Sequence, residues 1–276
     1  MTDSILVLAN FADAAEATAR YAAALGAPLH LRLTMLHLDT YPVMLEPELV
    51  AASAEQTQRN EAETMTGLRA LARRLPDQPD VLEAAGILSD GVADTIRQHP
   101  PLLLAMGLNP ESSLLDHLLA EQVLPVLRAT HRPLLLVPRD APSVGPPRRV
   151  LVAVDGETFT LNAASRALAP LLAAWAATFT VVHVHLQGGP PSRLAVADVR
   201  ASGLVPAATP LELYKAAETT PAPGVLQAVA DTQADLLVLI ARPRSFWSEL
   251  FHRSVTAAVL RRSTVPVLLL PAEPLD

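Results

Sequence analysis

The 276-residue sequence contains no cysteine. Disulfides, thiolate nucleophiles and zinc or iron–sulfur centres held by cysteine are therefore excluded. The sequence also contains a single lysine, Lys215, so arginine supplies every other basic side chain apart from histidine. A phosphate-binding loop of the Walker A type needs a lysine between glycine and serine or threonine. Lys215 lies between Tyr214 and Ala216, so the chain has no such loop.

Aromatic residues and basic runs are scarce as well. Aromatic side chains make up 4% of the sequence, too few for a stacking surface that binds single-stranded nucleic acid. The net charge is −7, and no basic run is longer than two residues. Both features argue against a nucleic-acid-binding surface.

No segment of the sequence has the pattern of an export signal or a membrane span. The longest apolar stretch, residues 168–184, is interrupted by Pro170 and two threonines. It is shorter than the roughly 20 residues that a membrane-spanning helix needs. The N-terminus lacks the positive and apolar regions of a secretory signal. We therefore expect a soluble, cytoplasmic protein that binds no membrane, and the absence of cysteine is consistent with a reducing compartment.

What the sequence does contain is an internal repeat. Residues 127–138 resemble residues 260–271, and Leu, Arg, Pro, Leu, Leu and Pro recur in the same places. The same offset aligns Gly91 with Gly224. Repeated segments of this kind indicate repeated structural units, so we take the repeat as the basis of the domain prediction.

The repeat divides the chain into two homologous domains. Near the start of each copy, residues 5–10 match residues 150–155. Proline and glycine are concentrated just before the second match, which is typical of a linker. We predict a first domain over residues 1–140, a linker over 141–147 and a second domain over 148–276.

Both copies have the same predicted order of elements. Continuous apolar runs such as residues 150–154 are typical of strands buried on both faces of a parallel sheet. Apolar residues at helical spacing predict a helix over residues 160–177. The proline-rich segment 188–223 is predicted to be partly irregular. Strands that alternate with helices predict an α/β fold, with two tandem, open, mainly parallel, five-stranded sheets and helices on both faces, as in Rossmann-like proteins.

Two sequence positions mark the predicted ligand-binding edge. Ligands of such sheets bind beyond the carboxyl ends of the strands. Asn10 and Asp155 directly follow the first predicted strand of each copy, and Val154 precedes Asp155. Loops follow Met106 and Ile240 at the same edge.

The two halves resemble the universal stress protein family in its tandem form. The resemblance covers almost the whole chain, and its most specific segments are residues 150–155, residues 235–238 and residues 253–255 with the strand that follows. It implies an adenine-nucleotide alpha-hydrolase-like fold and a role in stress response. It also implies that the two halves pair through their last strands, residues 134–137 and 267–270. Single-domain members make this contact between two subunits, and a further homodimer of the whole chain remains an open expectation.

The resemblance also implies where a nucleotide would bind. ATP-binding members have an aspartate after the first strand and a Gly-x2-Gly-x9-Gly-Ser/Thr motif after the fourth. The corresponding residues of the first half are Asn10, Gly107, Pro110, Ala120 and Glu121, so only one glycine is retained. Glycines matter there because they let backbone N–H groups approach phosphate oxygens.

The second half retains more of the polar residues of this motif and none of its glycines. The corresponding residues are Asp155, Ile240, Pro243, Arg253 and Ser254. Arginine side chains offer an alternative means of binding anions. The candidate cofactor-binding residues are therefore Val154, Asp155, Arg242, Arg253, Ser254 and Val255 in the second half, with Asn10 and Gly107 as weaker candidates in the first.

Simpler roles for these residues remain open. Asp155 is equally suited to capping the start of a helix. Surface arginines are usually solvated. Aromatic and leucine residues over 246–251 have helical spacing, which is typical of packing residues or, if exposed, of a partner surface.

Metal-binding and catalytic patterns are weak. His183 and His185 fall on one face of a predicted strand. Zinc needs at least one further protein ligand, and the sequence places none nearby, so we expect structural histidines and no metal. The sequence also lacks a Gly-x-Ser-x-Gly nucleophile motif.

The sequence therefore predicts a stress-response or regulatory binding module that is not an enzyme and has a degraded ATP-binding motif. No cofactor is expected, although ATP or another adenine nucleotide stays open. Two alternatives belong to other classes. One is a nucleotide sensor or slow ATPase that uses only the second domain, and the other is a protein-interaction scaffold that uses residues 246–251.

Overall fold

Ten strands in the described part of the chain form one continuous sheet. The computed structural model describes residues 4–9, 12–39, 47–85, 88–108, 119–141, 145–184, 192–216, 220–242 and 255–273. The strands are β1 (Ser4–Leu8), β2 (Arg32–Asp39), β3 (Asp80–Ala85), β4 (Leu103–Leu108), β5 (Leu134–Pro138), β6 (Arg149–Ala153), β7 (Thr178–His183), β8 (Leu211–Lys215), β9 (Leu236–Ala241) and β10 (Val267–Pro271).

Helices connect these strands and cover both faces of the sheet. They are α1 (Ala12–Gly26), α2 (Pro47–Arg74), α3 (Leu88–Gln98), α4 (Leu124–Thr130), α5 (Ala163–Arg166), α6 (Ala169–Ala174), α7 (Ser192–Ala201), α8 (Pro221–Asp231) and α9 (Val255–Leu260), with a 3-10 turn over Ala27–Leu29 and a π-helical turn over Leu119–Val123. Within the described ranges, none of the helices combines the length and apolar character needed to span a bilayer.

The strand order is β3-β2-β1-β4-β5-β10-β9-β6-β7-β8. Pairing is parallel inside each half and antiparallel between β5 and β10, where Leu135 lies opposite Leu268. The predicted α/β fold with mainly parallel pairing is confirmed. The ten strands form one sheet rather than the two tandem five-stranded sheets predicted, because β5 and β10, the last strands of the two halves, pair with each other. That pairing covers two apolar strand edges that would otherwise be exposed.

Side chains of the central strands alternate between two apolar cores. Leu134 and Leu136 point into one core, and Leu135 points into the other, as the period of two along a strand requires. Residues of α1, α2, α6 and α7 contribute to the core that contains Leu135. Residues of α3, α4, α8 and α9 contribute to the opposite core. Each core runs through both halves, so neither half has a core of its own on either face.

The single helix predicted over residues 160–177 is two short helices. α5 ends at Arg166 and α6 begins at Ala169, with Pro170 in its first turn. Proline has no N–H to donate inside a helix, so a proline at this place favours a new helix start. The segment predicted to be partly irregular, residues 188–223, includes α7, β8 and the start of α8.

In the described part of the chain, side-chain hydrogen bonds join the halves in addition to the β5–β10 pair. The Trp175 indole Nε1 donates to the carbonyl of Leu25 over 3.0 Å. The Tyr21 phenol donates to the carbonyl of Asp235 over 3.4 Å. The Asn162 side-chain amide donates to the His131 carbonyl over 2.7 Å and its oxygen caps the N-terminus of α5.

The buried Tyr21 predicts a loss of stability at alkaline pH. Burial, with a smaller contribution from Asp235, raises the pKa of the Tyr21 phenol well above its ordinary value. The unfolded phenol ionises near about pH 10. Its contribution to stability is therefore complete below about pH 10 and is lost as the pH rises further, because only the unfolded chain releases the proton there. We expect the free energy of unfolding in urea to fall less steeply above about pH 10 in Tyr21→Phe than in the natural protein.

The control for this experiment is Tyr214→Phe, which removes a half-exposed phenol. Solvent screens the interactions of such a group, so this variant should keep most of the natural slope. If Tyr21→Phe has the natural slope and Tyr214→Phe does not, the assignment to Tyr21 is wrong.

Candidate functional site

The carboxyl ends of β6 and β9 lie side by side in the sheet. The two strands pair in parallel, with Ala153 opposite Leu239. The loops that leave them therefore face each other at one edge. Residues 154–159 follow β6, and Arg242 follows β9.

The loop after β6 is held by backbone and side-chain contacts. The Val154 N–H donates to the Val182 carbonyl over 3.0 Å, and the Val154 carbonyl is 3.2 Å from His183 Nδ1. The Asp155 carboxylate accepts from the Glu157 N–H over 3.1 Å. Gly156 between them has a φ of +80°, a conformation that glycine adopts without steric cost. The loop thus forms a tight turn with the Asp155 carboxylate at its centre.

Arg242 closes over this turn. One of its guanidinium nitrogens donates to Asp155 Oδ1 over 2.7 Å, and the other donates to the Thr158 carbonyl over 2.9 Å. A further hydrogen bond reaches the Glu157 carbonyl, and the Glu157 carboxylate is 3.7 Å away. The guanidinium carbon lies 5.8 Å from the centroid of the Phe159 ring. We call Arg242 together with residues 155–159 the Arg242 clamp.

The exposure of these side chains is unequal. Arg242 is 11% exposed, whereas Asp155 is 52% exposed. The Arg242 guanidinium is therefore largely shielded from solvent, while the Asp155 carboxylate keeps one side toward solvent. Charge-assisted hydrogen bonds such as the one between Arg242 and Asp155 are stronger than hydrogen bonds between neutral groups.

The first half repeats part of this geometry. His37 Nδ1 is 3.2 Å from the Ala9 carbonyl, the same arrangement as His183 and Val154 in the second half. Each imidazole thus ties the end of a second strand to the end of a first strand. This arrangement supports a structural role for both histidines, and within the described residues no three His, Asp or Glu side chains cluster as metal ligands would.

The universal stress protein family model matches residues 1–138 and again residues 147–271. The chain belongs to the universal stress protein family. The two matches make it a tandem member, as the sequence resemblance predicted. A search among curated proteins finds no significant match.

Solved structures share the fold of this universal stress protein over almost its full length. A universal stress protein from Archaeoglobus fulgidus DSM 4304 is 18% identical, with 98% of this chain and 96% of that chain aligned at a TM-score of 0.60. A protein of Pseudomonas aeruginosa UCBPP-PA14, provisionally assigned to the same family, is 17% identical, with 98% and 94% aligned at a TM-score of 0.56. A protein of unknown function from Pseudomonas aeruginosa PAO1 is 15% identical, with 98% and 93% aligned at 0.52.

The structure of this universal stress protein brings together only some of the residues that the sequence nominated. Asp155 and Arg242 are in direct contact, and Val154 supports their loop. Gly107 lies inside β4, opposite Val137, and not in a loop after the strand. Val255 is the first residue of α9 and is 46% exposed.

Other nominated residues lie outside the described part of the chain. These are Asn10, Arg253, Ser254, His185 and the aromatic segment 246–251. Their roles stay predictions.

Sequence reasoning missed Glu157, Thr158 and Phe159 as partners of Arg242. The sequence could not indicate the Thr158 carbonyl as a partner, because every residue has a backbone carbonyl. Phe159 is 5% exposed and is one of only five phenylalanines. The only sequence indication that this loop packs against the protein was Phe159 itself, an aromatic residue four positions after Asp155.

Proposed function

We propose that this universal stress protein is a non-catalytic stress-response binding module whose second half takes no adenine nucleotide. The observation that carries the proposal is the Arg242 clamp. The Asp155 carboxylate, the polar group best placed to meet a ligand, is bound by the Arg242 guanidinium and by the Glu157 N–H. A ligand at this position would have to displace both.

Displacing Arg242 is unfavourable for the whole loop. The guanidinium would give up its contacts with Asp155 and with two loop carbonyls. Hydrogen bonds to charged groups contribute about 1.5–3 kcal/mol each to stability. A neutral adenine ring offers the carboxylate hydrogen bonds but no positive charge to replace the one it loses.

The strand next to the clamp supports the same proposal. Ile240, which stands at the first glycine position of the nucleotide motif, lies within β9 opposite Leu270. Its branched side chain occupies space that glycine would leave open to a phosphate. The first half offers Gly107 instead, but that glycine is also a strand residue.

The pairing of β5 with β10 affects how this chain could associate with a second copy of itself. We propose that this pair replaces, inside one chain, the contact that single-domain members make between subunits. The edges of both last strands are then already paired. A homodimer of this chain therefore needs another contact surface. We also propose that the protein is cytoplasmic and needs no cofactor.

Nucleotide titration of the full chain tests the proposal. We expect neither heat of binding nor a thermal shift with millimolar ATP, AMP or cyclic AMP. Arg242→Ala should lower the free energy of unfolding by about 2 kcal/mol, because it leaves the turn of residues 155–159 without its charged partner. Arg262→Ala is the matched control, since Arg262 is exposed, and it should change stability by less than about 0.5 kcal/mol.

Two outcomes would overturn the proposal. Saturable ATP binding that Asp155→Asn abolishes would favour a nucleotide sensor in the second half. ATP hydrolysis that copurifies with the natural chain and disappears in the same variant would favour a slow ATPase. The scaffold alternative rests on residues 246–251 and stays a prediction.

A further inference from the structure

A cavity of about 280 Å³ lies at the opposite end of the second half from the Arg242 clamp. The amino-terminal parts of β6 and β7, neighbouring residues of β8, and the turn after α8 line it. The clamp is at the carboxyl edge of the same sheet, so the cavity is separate from it. The cavity's volume is slightly below the range of about 300–1,000 Å³ that is typical of small-molecule sites.

The sheet face that forms this cavity carries Arg149, Thr178, Thr180 and Glu212, and Tyr214 lines it two residues after Glu212. Arg149 lies opposite Thr178, and Thr180 lies opposite Glu212. Alternation along β7 puts Thr178 and Thr180 on one face. Val182, two residues further on the same face, belongs to the core beneath α8. The two threonines and the two charged residues all line the cavity.

The two charged residues stand diagonally across this face. Arg149 and Glu212 are two strands apart along the sheet and two residues apart along the strand direction. With strands about 4.8 Å apart and a rise of about 3.3 Å per residue, their Cα atoms are about 12 Å apart. Between them lie the two threonine hydroxyls.

Neither charge has an ion-pair partner among the described residues. The Arg149 guanidinium has one hydrogen bond there, to the Gln233 side chain at 3.5 Å, the limit of the usual range. No salt bridge involves Arg149 or Glu212 in the same ranges. Arg149 and Glu212, both exposed to solvent, thus line one small cavity without an ion-pair partner among the described residues.

The other carboxylates near the cavity already accept hydrogen bonds from protein groups. Asp231 accepts from the Tyr214 phenol and, over 2.6 Å, from Gln227. Asp235 accepts from the backbone N–H groups of Arg148 and Arg149. Glu212 is therefore the carboxylate left to face the cavity.

We propose that this cavity binds a small zwitterion of the amino-acid class. The ligand carboxylate lies on Arg149, whose planar guanidinium matches a carboxylate with two parallel hydrogen bonds. The ligand ammonium lies on Glu212, and the threonine hydroxyls bond either end. The cavity's size limits the ligand to a few heavy atoms between its charges.

The first half does not repeat this pair. The register places Ser4 opposite Arg32 and Thr34 opposite Asp80, so Ser4 stands where the second half has Arg149, and Asp80 where it has Glu212. In addition, α3 packs against β3, whereas α8 packs over β6 and β7. Asp80 is exposed, so Asp80→Asn is a matched control that removes one carboxylate from the corresponding strand position.

Calorimetric and saturation-transfer NMR titrations of the full chain test the proposal. The probes are glycine, 4-aminobutanoate and 6-aminohexanoate, with butanoate and butylamine as singly charged analogues at equal ionic strength. We expect saturable millimolar binding of at least one zwitterion and at least tenfold weaker binding of both analogues. Arg149→Gln and Glu212→Gln should each weaken zwitterion binding at least tenfold, while Asp80→Asn should leave it unchanged.

Three results would overturn this proposal. One is the absence of saturable binding for all three zwitterions in a folded natural chain. Another is butanoate binding as tightly as the zwitterions, which would indicate a plain anion site on Arg149. The third is zwitterion binding that survives Glu212→Gln while the melting temperature is unchanged. None of these results depends on the Arg242 clamp, so the nucleotide proposal stands or falls separately.

Discussion

Replacing Trp175 by alanine lowers the free energy of unfolding by about 3–5 kcal/mol, the usual effect of truncating a buried tryptophan. Trp175 follows α6 and is 4% exposed. Its indole packs in the core that runs through both halves, and its N–H bonds to the Leu25 carbonyl of the first half. The substitution therefore leaves a cavity and removes a hydrogen bond at the contact between the halves.

Trp175→Phe separates these two effects. Phenylalanine keeps much of the buried ring but has no N–H, so this variant should lose about 1–2 kcal/mol. Urea unfolding followed by far-ultraviolet circular dichroism measures both variants without relying on tryptophan fluorescence. A Trp175→Ala variant within about 1 kcal/mol of the natural protein would contradict the role that the structure gives this residue.

The strands were the most predictable part of the fold. Runs such as residues 150–154 are apolar at every position because the strands are buried on both faces, and short runs of this kind between turn residues are typical of parallel sheets. The strand predicted from residues 150–154 is present as β6, and the last strands predicted over 134–137 and 267–270 are present as β5 and β10, each with ends within one residue of the prediction. The repeat then predicted the strand content of the second half from that of the first.

Helix continuity was less predictable, because it depends on single residues and on tertiary contacts. The apolar stripe of residues 160–177 continues across the break at residues 167–168. Pro170 interrupts the hydrogen-bond pattern, and Asn162 starts α5 while also bonding to His131 in the other half. The apolar spacing shows which side of the segment is buried. It does not show whether that side belongs to one helix or to two.

The Arg242 clamp was predictable in its parts but not as a contact. Asp155 and Arg242 were nominated separately, from the strand that precedes each. Their contact follows from β6 and β9 being neighbours, although they are the first and fourth strands of their half. Strand order in a parallel sheet depends on crossovers, which local sequence patterns do not encode.

Comparison of the halves indicates which parts of the repeat are constrained. The histidine contacts of His37 and His183 recur, and both belong to the scaffold. The polar residues around the strand ends differ, with Ser4 in place of Arg149 and Asn10 in place of Asp155. Duplication thus supplies two related scaffolds, and in the described part of the chain the Arg242 clamp and the charged cavity belong to the second half.

Cutting the chain within residues 141–147 should leave the two halves associated. β5 and β10 bond through residues with almost no exposure, and each apolar core contains residues from both halves. Separation would expose two apolar strand edges and both core faces to water. After cleavage at an inserted protease site, the fragments should elute together at the mass of the intact 29.3 kDa chain.

Leu135→Asp should abolish this association. Leu135 is fully buried opposite Leu268, and an unpaired carboxylate there costs more than about 4 kcal/mol. The matched control is Leu194→Asp, the same substitution at a leucine that is 45% exposed, which should leave the cleaved halves together. Light scattering after size-exclusion chromatography distinguishes the outcomes. Cleaved halves of the natural sequence that separate, or cleaved Leu135→Asp halves that stay together, would show that the central strand pair does not hold the two domains to each other.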